Sequence, residues 1–590
     1  MRKTTVAIAA GLCLLPAFSS AQNVSKEAGA YERKSVTYVN ALWLMDESVR
    51  GLHPHQVAFV LDKVKQAISM PRFDYNPIPD SLLRDFAAQA NAVRYPYVNE
   101  AIATAGGADP MLDSIAAVME RTVVARVLEI VDLNKEMRAA NLTSEQQRNS
   151  FIADKAKTMG ITMDDIEKVM NSAYIYLPLI RGYSSQLKDS SYSAGFAAGI
   201  VWFRIVTKGE KARAIPVVKN VTYSSGFSIL DRHYAGEGGM VDYREFAFES
   251  AVKNAARNLV VATQQIPDFR LTGQVIDKGF LSVGFNLGRR EGIKLDDKYQ
   301  IVEISEDEQG NQTAKKSGWV MVTSIADSNS KHGYKSSAEV IGGSPYVGAI
   351  LSEYPRLPLD LLIRGRMFAF ATRDTVTALF SHLSLNNGYG GGLDIQYNLG
   401  RLFGLNQFFF GLSGGVGTGA VSGTKNDLAA ADSTDHGSAN VNWLLSWSAE
   451  VSLIKKFYFG RFVIVLQPQV GYQSIILQTD KWTNASGSDE YYMLNNAALG
   501  FAANGALEFA LSPAVNIGVG GGYQLYGNSS SWDYSYKTGT DGSWQKIATI
   551  SDGTPVNHTG VTASVYLVWS LPSIAFDPLD MLRGVAGGVK

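Results

Sequence analysis

The stretch that most constrains this chain is VNWLLSWSAEVSLIKKFYFG, Val441 to Gly460. Trp443, Leu445, Trp447, Ala449, Val451 and Leu453 alternate with Asn442, Ser446, Ser448, Glu450 and Ser452. A period of two makes a strand with one apolar and one polar face. Leu444 alone breaks the rule. The pattern recurs between residues 363 and 570. Leu393, Ile395 and Tyr397 alternate with Asp394, Gln396 and Asn398, and Leu507 and Phe509 flank Glu508. Stretches around Phe408–Val416, Ile464–Tyr472, Val515–Leu525 and Val561–Trp569 read the same way.

Connection lengths decide which face meets water. GRLFGLNQ, KKFYFGR and SPA are short, whereas 418–440, 477–495 and 527–559 are long and polar. Short turns at one end and long loops at the other are the habit of strands that cross a membrane as a closed barrel, apolar face to lipid and polar face inward. Seven strands are legible, and the alternation of ends requires an eighth, for which IRGRMFAFATR at 363–373 is the candidate. About eight strands leave a lumen nearly filled by side chains. Asp394, Glu450 and Glu508 then point inward, with Arg461 near an inner position as a cationic partner, because a buried carboxylate needs one. Phe457, Tyr458 and Phe459 are expected in the interfacial girdle.

On these residues the C-terminal part, 359–572, resembles the small bacterial outer-membrane β-barrels over roughly 200 residues. The resemblance implies an antiparallel transmembrane barrel with both ends of the chain in the periplasm. It departs from the pattern in its tail at 573–590, SIAFDPLDMLRGVAGGVK, which follows the strand ending near Trp569.

The N-terminal residues agree with that compartment. Arg2 and Lys3 precede an apolar run from Val6 to Phe18 that ends in Ser19-Ser20-Ala21, the form of a secretory signal over 1–21. The chain's one cysteine, Cys13, lies inside it, so no disulfide is expected afterwards. A net charge of −1 gives no reason to expect nucleic acid as partner.

Residues 22–187 are expected to be an all-α periplasmic domain. His53-Pro54, Pro79-Asp80 and Asp109-Pro110 are helix starts, Thr143-Ser-Glu-Gln146 fits a capping box, and Leu112, Ile115, Met119, Val123, Val127 and Ile130 form a helical stripe. Residues 188–358 are expected to be an α+β periplasmic domain with a small β-barrel-like part. AGIVWFRIV reads as a strand, the segment from Tyr243 to Gln265 as one helix, and a series of short strands follows. Within it, LSVGFNLGRREGIKLDDKYQIVEI resembles the small β-domain of flagellar assembly protein T, and the preceding helix resembles periplasmic proteins of the curli-secretion type. The fold class is therefore multidomain.

Chemistry-bearing residues are few. Asp427, Asp432, Asp435 and His436 share one outer loop and could activate water, but that loop is also rich in ordinary turn formers. His53 and His55 are two apart, poor spacing for a metal on a helix. The Gly-rich GEGGMVDY lacks the lysine of a phosphate loop and reads as a flexible loop. No catalytic residue, cofactor or metal is expected. Trp482, Tyr491, Trp532 and Trp544 in the outer loops are candidates for recognising sugars or protein, or for folding the loops on themselves. The expected function is a non-enzymatic outer-membrane anchor whose periplasmic part binds envelope components. A secretion or transport accessory is the alternative, and a barrel-borne hydrolase a third.

Overall fold

The computed structural model describes residues 34–38, 43–44, 52–92, 110–159, 173–207, 212–306, 312–326, 335–372, 376–427 and 436–573, apart from a few single positions, with part of 162–169. The expected signal at 1–21 and residues 574–590 of the tail lie outside the described residues.

The first of three units is an α/β/α sandwich. Its sheet runs in the order Phe73–Pro77, Lys34–Tyr38, Tyr174–Lys188, Ser191–Val206, Arg213–Ile229. The first three strands are parallel and the last two antiparallel. Helices Asp80–Ala92, Pro110–Met119, Ala125–Ala139 and Glu145–Met159 cover one face. Helices Pro54–Ile68 and Tyr243–Gln265 cover the other. AGIVWFRIV is apolar except for Arg204 because both its faces are roofed: Val201, Phe203 and Ile205 pack under the first helical layer, Ile200 and Trp202 under the second.

This corrects the expectation of an all-α domain over 22–187 and the boundary at 187/188. The helical stripe of Ile115, Met119, Val123, Val127 and Ile130 packs on Ile175, Leu177 and Leu179 of a sheet, not only on other helices. The strands KSVTY and FDYNP are too short and too polar to announce themselves. The helix start at Pro54 holds, and the capping box falls one residue later than expected, between Ser144 and Gln147. GEGGMVDY is not a loose loop. It closes the hairpin of His233–Gly236 with Gly239–Asp242, and Asp242 caps the long helix by accepting from the amides of Arg244 and Glu245 at 2.9 and 2.8 Å.

The second unit is a small closed barrel of six strands, in the order Ser282–Phe285, Ser336–Gly342, Gln312–Ser324, Lys298–Glu306, Ile350–Glu353, Thr272–Lys278. Val275, Phe285, Tyr299, Ile301, Val320 and Leu351 fill it.

The third unit is an antiparallel barrel of eight strands: Arg356–Phe368, Phe380–Asn398, Phe408–Lys425, Ala439–Phe459, Phe462–Thr479, Asp489–Ala510, Val515–Ser529 and Val556–Pro572. Neighbours in sequence are neighbours in space, and the last strand closes on the first through Leu361↔Trp569 and Gly365↔Val565. IRGRMFAFATR thus belongs to the eighth strand that the pattern required. Trp532–Thr538 and Gln545–Ile550, expected inside a loop, extend the outer half of Asp489–Ala510 as further strands. Among the described residues no helix is long and apolar enough to cross a membrane, which says nothing of a barrel.

One buried ion pair ties the sandwich to the small barrel. The Arg72 guanidinium grips Glu353 with both nitrogens, at 2.7 and 3.1 Å, and both side chains are nearly buried. Arg72→Ala would strand a desolvated carboxylate and should destabilise the junction by about 3–5 kcal/mol. Calorimetry should then show the sandwich melting separately from the rest. Arg72→Lys should rescue only part of the loss, since an ammonium cannot make the two-pronged contact.

Candidate functional site: a filled lumen with closed ends

The barrel wall sorts its residues as the alternation demands. Leu393, Leu412, Leu453, Leu466, Phe501 and Val565 are exposed on the outside. Leu466 is 50% exposed while its neighbour Val465 is 2% exposed. Such residues encircle the barrel, far more contiguous apolar surface than a protein surrounded by water shows.

The lumen holds the expected carboxylates, each with a partner. Glu450 pairs with Arg366 at 2.7 Å, and Arg366 also reaches Ser448 Oγ at 3.2 Å. Asp394 pairs with Arg364. Glu508 accepts from Asn516 at 2.9 Å and from the Tyr566 hydroxyl at 3.2 Å, and Lys456 Nζ lies 3.5 Å from Glu508 and 3.6 Å from Asp360. Arg461 does not join them. It sits exposed in the turn after Phe459, with its guanidinium 5.0 Å from the ring of Trp319 in the small barrel. The expectation for Arg461 is corrected because KKFYFGR is mostly strand, which puts Lys456 in the lumen and Arg461 at the rim. The signal for the missed cations was visible: Arg364 and Arg366 are two apart and share a face opposite Ile363 and Gly365. Of the expected girdle, Phe457 and Phe459 face outward, but Tyr458 turns in to pack with Trp319, Met321 and Ile341.

Above the ion pairs, Gln524 Nε2 donates to Gln473 Oε1 at 2.7 Å and to the carbonyl of His558 at 2.7 Å. Further out the lumen turns apolar: Phe368, Phe370, Leu383, Leu444, Leu477 and Tyr492 belong to one cluster. Leu444, the exception to the alternation, is therefore inward and buried in that apolar layer. The gap beside Arg364, Arg366 and Gln467 measures about 20 Å³, room for roughly one water.

The outer aromatics close the top. Trp532 is fully buried; its ring nitrogen donates to Thr554 O at 2.8 Å, and Phe380 meets it edge-on at 5.4 Å. Trp482 is half-buried against the same cluster. Tyr491 and Trp544 stay nearer the surface, with Lys537 Nζ 5.4 and 5.2 Å from their rings. Of the four recognition candidates, Trp532 and Trp482 thus act in packing. His436 is buried 3.4 Å from Glu490, edge-on beside the stacked rings of Tyr492 and Tyr534. Glu490 also accepts from the Tyr492 hydroxyl at 2.8 Å. Asp427 is exposed, and Asp432 and Asp435 lie outside the described residues. His53 and His55 stack their rings in the sandwich, and among the described residues no group of three acidic, histidine or cysteine side chains could hold a metal.

The small barrel closes the other end. Lys298 Nζ donates to Pro513 O at 2.7 Å and to Ser570 Oγ at 3.2 Å, and Arg401 reaches Asp297 at 2.6 Å. Burial pushes the Lys298 amine below its ordinary pKa. Asp296 accepts from Asn398 Nδ2 at 2.7 Å and from the amide of Gln407 at 2.9 Å. Asp296 and Gln407 both have positive φ, 66° and 54°, so two left-handed residues brace each other across the joint. A cavity of about 480 Å³ remains where the three units meet, lined by both signs of charge, including Arg289, Glu291, Arg356 and Asp360.

No known protein family and no curated protein matches the chain. Solved structures do show likenesses. Neisserial surface protein A is 10% identical, covers 36% of this chain and 97% of its own, and has a TM-score of 0.21. The outer membrane protein OprG from Pseudomonas aeruginosa is 10% identical over 37% of this chain and 98% of its own, at 0.23. The outer membrane protease OmpT from Escherichia coli is 8% identical over 36% and 96%, at 0.21. None of these three is flagellar assembly protein T or a curli-secretion protein. The barrel assignment rests on the chain's own strand pairing.

The Glu450–Arg366 pair gives a direct test. Glu450→Gln leaves the buried Arg366 guanidinium with a polar neighbour but no counter-charge and should destabilise the barrel by about 3–5 kcal/mol. Replacing both together, by Glu450→Gln with Arg366→Met, should recover most of that. The readout is the urea midpoint of the heat-dependent gel shift of the folded barrel.

Proposed function

We propose that this protein is a non-enzymatic outer-membrane anchor that holds a large periplasmic interaction module against the membrane. One observation carries the reading: the barrel is apolar all round outside, yet its lumen is filled and both ends are covered. A barrel built this way holds a position in the membrane and conducts nothing. The module it holds is the sandwich with the small barrel, expected in the periplasm beside the short turns. Its sheet ends in Arg213–Ile229, whose outer edge pairs with no other strand among the described residues. Helix Tyr243–Gln265 takes two of its carbonyls, Ser225 O accepting from Asn254 at 3.0 Å and Tyr223 O from Asn258 at 3.3 Å, and the rest of the edge is a site for strand addition by another envelope protein. The buried position of His436 supports a structural role in the loop cluster over hydrolysis.

The purified protein in planar bilayers should give no conductance steps, and the mature chain should fractionate with the outer membrane. Porin-like currents would sink the anchor reading. Leu466→Lys, on the lipid face, should cost about 2–4 kcal/mol if near the midplane and should lower the yield of folded barrel.

A further inference from the structure

Among the described residues, nothing covers one surface of the small barrel. The hairpin between Thr272–Lys278 and Ser282–Phe285 carries Phe280 at its tip, 96% exposed, with Leu281 and Ile276 also exposed beside it. The segment holding Tyr346 and Val347 runs next to this hairpin, because the Gly348 amide donates to Val275 O at 2.7 Å. Val347 is 61% exposed. Five apolar side chains thus share one exposed rim, an arrangement that water disfavours and that marks a contact surface.

Its position indicates the occupant. Leu281 O accepts from the Val340 amide at 2.8 Å, and Ser336–Gly342 is the strand that abuts the large barrel. The carbonyl of Ile341 is 3.8 Å from where a side chain on Gly460 would begin, and Arg461 stacks on Trp319 of the adjoining strand. Gly460 and Arg461 form the turn between Phe459 and Phe462, both exposed on the outer wall. The hairpin is therefore the next strand pair around the small barrel from the one touching the lipid-facing wall. Its apolar rim continues that wall's surface at the short-turn end.

We infer that the Phe280 hairpin, with Tyr346 and Val347, inserts into the periplasmic leaflet of the membrane beside the barrel, so that phospholipid acyl chains are its partner. The inference rests on the reading of the large barrel as membrane-embedded. A bulky aromatic at a hairpin tip suits the headgroup–acyl boundary, where ring and backbone each find their preferred surroundings. The contact gives the periplasmic module a second hold on the membrane, separate from its joint with the barrel.

The test uses the full chain in phospholipid vesicles with a nitroxide at one introduced cysteine. Cys13 is replaced by serine if the mature chain retains it. Phe280→Cys and Val347→Cys are compared with Leu466→Cys on the barrel wall and Ser486→Cys in an outer loop. Collision with oxygen, which concentrates in lipid, is set against collision with a water-soluble nickel chelate. Labels at 280 and 347 should favour oxygen, as the label at 466 does, and should gain nickel access when vesicles are exchanged for a short-tailed amphipol. A label at 280 as nickel-accessible as the one at 486, with 466 still in lipid, would overturn the inference and leave the barrel reading intact. Low access to both reagents at 280 would also overturn it, because the tip would then be covered by protein. If 466 itself favours nickel, the barrel reading and the inference fail together. Phe280→Ser combined with Val347→Ser should leave the barrel's gel shift unchanged while raising nickel access at a label on Leu281→Cys by several-fold.

Discussion

A peptide group in hydrocarbon has no water to bond, so every amide and carbonyl that crosses a membrane must find its partner inside the protein. For strands the one solution is a ring. In this chain the ring depends on the pairing of its first barrel strand with its last, Arg356–Phe368 with Val556–Pro572, about 200 residues apart. Most other features of the barrel follow. Once the sheet is closed, each strand has one face toward lipid and one toward a lumen only eight strands wide, and the period of two in the sequence becomes obligatory.

A narrow lumen creates its own difficulty. Charges there are dry and costly unless paired. The chain answers with three carboxylates on different strands, each met by a cation: Asp394 by Arg364 on the adjoining strand, Glu450 by Arg366 and Glu508 by Lys456 from strands further round the lumen. Toward the long-loop end the lumen changes character. Leu444, Phe370 and Leu477 form a core like that of a soluble protein, and Trp532 and Tyr534 complete it. At that end the wall need not contact lipid at all, because strands of 18 to 22 residues, such as Phe408–Lys425 and Asp489–Ala510, exceed what a bilayer requires.

What the sequence disclosed follows the same division. The strands of the large barrel were legible because lipid imposes a strict alternation, and the carboxylates stood out as charges on its inner face. Lys456 is hidden because KKFYFGR has the composition of a turn, whereas only its last two residues leave the strand. The outer strands Trp532–Thr538 and Gln545–Ile550 were hidden because they pack as a small core, free of the lipid rule. In the N-terminal part the helices showed their periodicity, while the sheet between them did not. A strand covered on both faces has no alternation, and Lys34–Tyr38 is only five residues long. The joint between the small barrel and the large one could not be read at all. It is made of single contacts from Asp296, Lys298 and Trp319 to turns more than a hundred residues away, with no local pattern.

The small barrel's last strand ends at Glu353, and the large barrel's first begins at Arg356. Only Tyr354 and Pro355 lie between. Two residues, one of them a proline, cannot serve as a swivel, and Arg356 is held in place by Ser570 O at 3.1 Å. The sandwich and the small barrel are therefore mounted like a shelf on a bracket, at a set height and bearing from the short-turn end of the large barrel. A tethered domain samples a hemisphere; a bracketed one holds its outermost sheet strand, Arg213–Ile229, at one level relative to the barrel. Anything that joins it there must itself reach that level.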